Sequence, residues 1–199
     1  MDGILGNDVI SNIINRRSAR KYKTEQIKET ELDLILMAGQ YAPSGGNNQT
    51  THLLVIQNQE ILKELRALVE KEFAQMEVYE GMYKSLKGSI LASRKGGYDF
   101  CYGAPALIVT ANKKGYGNAL PDCACVLENM MLAAESLDIG SCWINQLRWL
   151  DENQAIHTYL EKLGLAGDET VCGGLSIGYK ADKVKEPLKR TGNPVTYIR

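Results

Sequence analysis

The sequence predicts a domain of α+β or α/β class. Apolar residues recur at helical spacing over several long stretches, and at least three short apolar runs read as strands between them. No repeat, low-complexity tract or shift in composition divides the chain, so residues 1–199 are read as one domain. That length suffices for a full hydrophobic core, or for one half of an intertwined dimer. A formal charge of -1 argues against a nucleic-acid binder. No apolar run is long enough to cross a bilayer. The first residues, with Asp2, Asn7 and Asp8, lack the layout of a signal peptide, which makes the cytoplasm the default location.

Val9, Ile10, Ile13 and Ile14 predict a short amphipathic helix. It runs into Asn15-Arg16-Arg17-Ser18-Ala19-Arg20-Lys21, with four cations and a hydroxyl in seven residues. Thr24 is placed to cap a second helix, striped by Ile27, Leu32, Ile35, Leu36 and Met37 and ending near Gln40. Pro43 stops that helix, and a polar loop continues through Ser44, Gly45, Gly46, Asn47, Asn48 and Gln49 to Thr51. His52 to Ile56 reads as a strand apolar on both faces. Glu60 to about Val78 is a helix with Ile61, Leu62, Leu65, Leu68, Val69 and Phe73 buried. A weaker helical pattern follows from Met76 to Leu91, with Tyr79, Met82, Tyr83 and Leu86 exposed or half exposed, until Arg94-Lys95-Gly96-Gly97 breaks it. Ala106 to Thr110 is a second buried strand. Pro121 and Asp122 open the longest apolar helix, to Leu137, with proline and an acid suited to its first turn. Trp149, Ile156 and Leu160 indicate one more short helix. Val171 to Tyr179 reads as a strand whose glycines fit a backbone approached closely by something else. Val195 to Ile198 is strand-like.

The chemistry candidates are few. There is no nucleophile elbow, paired-carboxylate motif or Walker loop. Cys101, Cys123, Cys125, Cys142 and Cys172 form no C-x-x-C pair, and His52 and His157 are the two imidazoles, so no metal site is expected. What stands out is two basic patches, Arg16, Arg17 and Arg20 near one end and Lys189 and Arg190 near the other. The first patch reads either as a solvated helix end, favoured by the helix dipole, or as an anion clamp built on the planar fork of arginine. If the two patches meet, they hold one phosphate, and the amide-rich loops hold the ring system attached to it. No acid–base pair is then needed, because a cofactor carries the chemistry.

With these residues in view, the sequence resembles the nitroreductase family of flavin enzymes over nearly its whole length. The resemblance rests on Arg16-Arg17-Ser18-Ala19-Arg20, on Pro43-Ser44-Gly45-Gly46-Asn47-Asn48-Gln49, and on Ala104-Pro105 before a strand. It continues through Asp122 to Leu137, Gly140-Ser141-Cys142-Trp143-Ile144, Gly174 to Tyr179 and Lys189-Arg190. It implies an α+β fold with a central, mainly antiparallel sheet flanked by helices. It also implies an intertwined homodimer that binds FMN non-covalently at its interface.

By the same resemblance, Arg16, Arg17, Ser18 and Arg20 grip the phosphate and the pyrimidine edge, and Arg190 with Lys189 adds a C-terminal phosphate contact. Asn47 and Gln49, with Pro43 and Ser44 in the same loop, reach the ring of the partner chain's flavin. Trp143, Ile144, Asn145 and Gln146 lie beside its reactive side. The implied reaction is ping-pong: NADH or NADPH passes hydride to flavin N5, and a flat electron-poor acceptor, a nitroaromatic or quinone, then takes its place. No residue of the chain is assigned a catalytic role, although Asn145 is a candidate contact to substrate or nicotinamide. Thr50-Thr51 stands where many relatives have Pro-Trp, and Asn145-Gln146 where some have Glu-Gly. These departures bear on donor and acceptor choice. The alternatives are a more specific flavin reductase, enone reductase or reductive dehalogenase, a non-enzymatic flavin-binding protein, or a structural dimer without cofactor.

Overall fold

A computed structural model of the protein describes residues 6–182 and 187–199. The elements run α1 (Asp8–Asn15), α2 (Glu29–Gln40), a 3-10 turn (Gly45–Asn47), β1 (His52–Ile56), α3 (Gln59–Gln75) and α4 (Lys84–Lys95). They continue as β2 (Ala106–Lys113), α5 (Ala119–Ser136), β3 (Ile139–Ile144), α6 (Gln146–Trp149), α7 (Gln154–Lys162) and β4 (Glu169–Tyr179). The strands form one sheet in the order β1-β2-β4-β3, with every neighbouring pair antiparallel. That pattern selects α+β over the α/β alternative. Among the described residues no helix is long and apolar enough to cross a membrane.

Both faces of the sheet are covered, which explains why its strands are apolar throughout rather than alternating. On β2, Leu107 and Val109 face a core with Leu62, Phe73 and Ile156 of α3 and α7. Ile108, between them, faces the other core with Ile35, Leu127, Met130 and Ile177, built by α2, α5 and β4. Asparagine caps start three of the helices. Asn7, Asn58 and Asn153 each accept a hydrogen bond from a backbone N–H of the first turn.

Four expectations need correction. Thr24 caps nothing: α2 starts at Glu29, with Lys28 at its N-cap, because residues 18–26 are engaged along the sheet. Lys23 N–H donates to Tyr179 O, and Gln26 Nε2 donates to Pro105 O. The pattern from Met76 to Leu91 is a turn at Gly81 (φ 80°) followed by α4, and Met82 is buried. Residues 139–144, which the sequence left without a strand, form β3. Val195 to Ile198 is not a strand, and Val195, Tyr197 and Ile198 are exposed.

The segment that follows α1 is strapped to the sheet edge. Ser18 bridges Ser141 of β3, and Tyr22 bridges Lys180 just beyond β4. Ala19 N–H donates to Ser141 O at 2.9 Å. The Tyr22 hydroxyl lies 2.7 Å from Ala19 O and 3.0 Å from Ser176 Oγ, tying the strap to itself and to β4. Glycines make this approach possible. A Cβ on Gly140 would stand 2.8 Å from Ala19 Cβ, and one on Gly178 would stand 2.5 Å from Pro105 Cδ and 3.1 Å from Tyr22 Cδ1. The closely approached β4 backbone expected from sequence is therefore present. Gly140→Ala should lift the strap and destabilise the fold by about 2 kcal/mol. Urea denaturation measures this, and an unchanged midpoint would show that the strap yields freely.

Candidate functional site

The strap delivers the basic run to one place. Arg16 leaves α1 in extended backbone as its C-cap (φ -54°, ψ 129°), and the chain turns along β3. Arg16, Arg17, Ser18 and Arg20 line a cavity of about 180 Å³ together with Leu188 and Arg190. The two ends of the sequence thus meet, although Lys189 does not line the cavity and Leu188 does. Glu128 of α5 stands 3.7 Å from Arg16 Nε at a half-exposed position, so the cluster keeps an excess of positive charge. Arg20 places its guanidinium 5.7 Å from the centre of the Tyr102 ring. Contact with the Tyr102 phenol raises the Arg20 pKa above its ordinary value. Cys142 lies beneath the cluster, and its burial pushes the thiol up. The lining offers guanidinium and hydroxyl donors in a space that admits a phosphate. This donor set fits the phosphate end of FMN.

Asn145 lies four residues along β3 from Ser141, about 13 Å at the rise of an extended strand. The side chains of residues 143–146 are already committed. Ile144 is inside the core and Gln146 is 8 % exposed. Gln146 Nε2 donates to Tyr98 Oη at 3.0 Å, and the Tyr98 hydroxyl also meets Ser89 Oγ at 2.8 Å. Trp143 is half-buried and donates from its indole to Asn145 Oδ1 at 3.0 Å. Asn145 occupies the N-cap position of α6 without making a side-chain cap bond. Its amide N–H groups make no hydrogen bond among the described residues. Ile144 and Gln146 thus offer a ligand mainly backbone, whereas Asn145 offers a side-chain donor.

The loop between Pro43 and Gln49 forms a separate surface. Asn47 and Gln49 line a groove of about 600 Å³ with Gln40, Tyr41, Thr51 and Leu53, and this groove shares no lining residue with the basic cavity. Asn47 (φ 55°) and Gln49 (φ 52°) are both held in the left-handed region, and such strain persists only where the surroundings impose it. Ser44 Oγ accepts from Gln49 N–H at 3.0 Å. Asp122 of α5 accepts from Gly45 N–H at 3.0 Å and from the Tyr116 hydroxyl at 3.0 Å. That hydroxyl also lies 3.2 Å from Gly45 O and accepts from Asn48 Nδ2.

Sequence reasoning assigned Asp122 to the helix dipole and missed this anchor. A buried acid in the first turn, facing a glycine-rich loop, is the signal that was present. Tyr22 and Tyr102 were missed as well. The histidines are engaged away from the basic cavity. His52 Nδ1 lies 2.9 Å from Glu169, and His157 lies 3.9 Å from Asp151 and 3.6 Å from Glu161. Cys101 is buried, and desolvation pushes its thiol up to about 12.

The chain is similar to several known proteins. A nitroreductase with bound FMN from Bacteroides fragilis superposes with a TM-score of 0.85 at 36 % identity, over 97 % of this chain and 100 % of that one. A second FMN-bound nitroreductase, from Desulfitobacterium hafniense, gives a TM-score of 0.81 at 26 % identity, over 97 % and 99 %. An FMN reductase [NAD(P)H] of Bacillus subtilis is 26 % identical over 198 residues, which span 96 % of this chain and 75 % of that protein. The profile of the Nitroreductase family matches residues 13–179, and the chain belongs to that family.

Proposed function

We propose that this chain is an FMN-dependent oxidoreductase that takes hydride from NADH or NADPH and passes it to a flat, electron-poor acceptor such as a nitroaromatic or a quinone. The observation that carries this reading is the convergence of Arg16, Arg17, Ser18 and Arg20 with Arg190 on one small cavity beside β3. The FMN-bound relatives support the identity of the anion. Bound there, FMN supplies reversible two-electron chemistry. The chain's own residues bind and orient. The arginines and Ser18 would hold its phosphate by charge-assisted hydrogen bonds. Residues 143–146 would border its ring, with the side-chain amide of Asn145 available to a nicotinamide carboxamide or an acceptor oxygen. Donor and acceptor use the same space in turn, which is the ping-pong order.

A homodimer completes the site in this reading. The loop carrying Asn47 and Gln49 stands on a surface apart from the basic cavity, and the strained amides of one protomer would serve the flavin of the other. The apolar face of α1 supports a second copy. Val9, Ile10, Ile13 and Ile14 are exposed in the single chain, as are Met37 and Tyr41 near the groove. Sedimentation at micromolar concentration should give a dimer, and a monomer that holds FMN at full occupancy would exclude this arrangement.

Arg16→Ala and Arg20→Ala should each weaken FMN by roughly 30-fold, as expected for the loss of a charge-assisted hydrogen bond of about 2 kcal/mol. Titration of apoprotein with FMN tests this, and parental affinity in both variants would remove the clamp. Asn145→Asp keeps the acceptor for the Trp143 indole and adds a negative charge. It should leave FMN bound and slow reoxidation by an anionic quinone more than by a neutral one. Stopped-flow traces separate the two half-reactions, and equal slowing by both quinones would make Asn145 a structural residue.

A further inference from the structure

β2 and β4 pair in regular register except at one point. Thr110 pairs with Gly173 and Ala111 with Val171, which leaves Cys172 as an extra residue on β4. A bulge of this kind re-aims side chains, which in a regular strand alternate between the two faces. A Cβ on Gly173 would stand 3.0 Å from Leu127 Cδ1 of α5. The neighbouring Cys172 is turned to α5 as well, packed with Cys123, Ala119 and Tyr116. Val171 joins the opposite core, with Phe73 and Ile156. The bulge therefore brings two cysteines, far apart in sequence, together between α5 and the sheet. Both are free thiols, and both are buried.

Their surroundings include hydrogen-bonding groups. Cys123 Sγ lies 3.8 Å from Thr51 Oγ1, and Asn112 Nδ2 donates to that hydroxyl at 3.3 Å. Thr110 and Asn112 of β2 are buried polar residues. Hydrogen bonding with Cys172, and then with Thr51, Thr110 and Asn112, lowers the Cys123 thiol below its ordinary value against the effect of burial. Cys101 and Cys142 move the other way, pushed up by burial. Groups that hydrogen-bond to the charged sulfur favour the thiolate, which is the reactive form. Access is from the side of Cys172, which lines a cavity of about 490 Å³ with Lys113, Arg148, Trp149 and Thr170.

We propose that Cys123 and Cys172 are a modification site: a dithiol that hydrogen peroxide entering this cavity converts to an intramolecular disulfide. The thiolate sulfur bonds to one peroxide oxygen, the O–O bond breaks, and the departing hydroxide takes up a proton and becomes water. The second sulfur then attacks the sulfenic acid. The S–S bond forms, the S–O bond breaks, and the hydroxide leaves with the second thiol's proton as another water. The two thiols are oxidised by two electrons, and the peroxide is reduced to water. A dithiol reductant restores the pair by exchange and is itself oxidised to a disulfide.

The protein as purified is treated with hydrogen peroxide in modest excess, quenched in acid, alkylated with N-ethylmaleimide in denaturant and mapped by tandem mass spectrometry without reduction. Cys123 and Cys172 should be found joined, with the loss of two hydrogens, and both should become alkylatable after dithiothreitol. Cys123→Ser and Cys172→Ser should each lose the joined species outright. Cys125→Ser should keep it, since a residue two positions along α5 is turned to another face. Alkylated thiols at both positions after peroxide would overturn the site. Sulfinic acid at either position in place of the link, or a link from either to a different cysteine, would overturn it too. The measurement on the unsubstituted chain decides the matter by itself, whether or not the serine variants fold.

Discussion

The site depends on a short run of hydrogen bonds between the N-terminal strap and the edge of the sheet. Ala19 bonds to Ser141, Lys23 bonds to Tyr179, and the Tyr22 hydroxyl joins Ala19 O to Ser176. Without them the basic run would end α1 as solvated side chains. With them Arg16, Arg17, Ser18 and Arg20 stop beside β3, where Arg190 reaches the same cavity. The close approach needs Gly140 on one side and Gly178 on the other. A constraint on side-chain size in the sheet thus places charges that lie far away in sequence.

A second constraint acts on the polar loop. Asn47 and Gln49 are held in a strained backbone by Ser44 within the loop and by Asp122 and Tyr116 outside it. Their loop lines a groove that shares no residue with the basic cavity. The exposed face of α1 is of the same kind, an apolar stripe that this chain leaves uncovered. Both features fit the homodimer proposed above.

Much of this was legible in the sequence. The long helices, β1 and β2 announced themselves by period and by covered faces, and the two basic patches were visible as composition. Other parts followed from tertiary contacts that leave a weak local signal. β3 is six residues with two small ones at its start, and it reads as a linker until the strap and β4 pair with it. Thr24 looked like a cap because its chemistry suits one, but its neighbours bond to the sheet and delay α2 to Glu29. Asp122 looked like a dipole partner because its role as an anchor depends on where Gly45 lies in space. The aromatic run from Tyr98 to Tyr102 was visible, but the left-handed turn at Tyr102 was not, since the paired Asp99 and Arg66 hold it through Gly103 N–H and Ala104 O.

The visible absorption spectrum of protein purified without added flavin tests the central claim most directly. A flavin spectrum should be present, or should form on titration with FMN. It should bleach when NADH or NADPH is added without oxygen, and return when an electron-poor quinone follows. A protein that stays colourless and takes up no FMN would contradict the reading of the basic cavity. A yellow protein that neither nicotinamide bleaches would contradict the activity while leaving flavin binding in place.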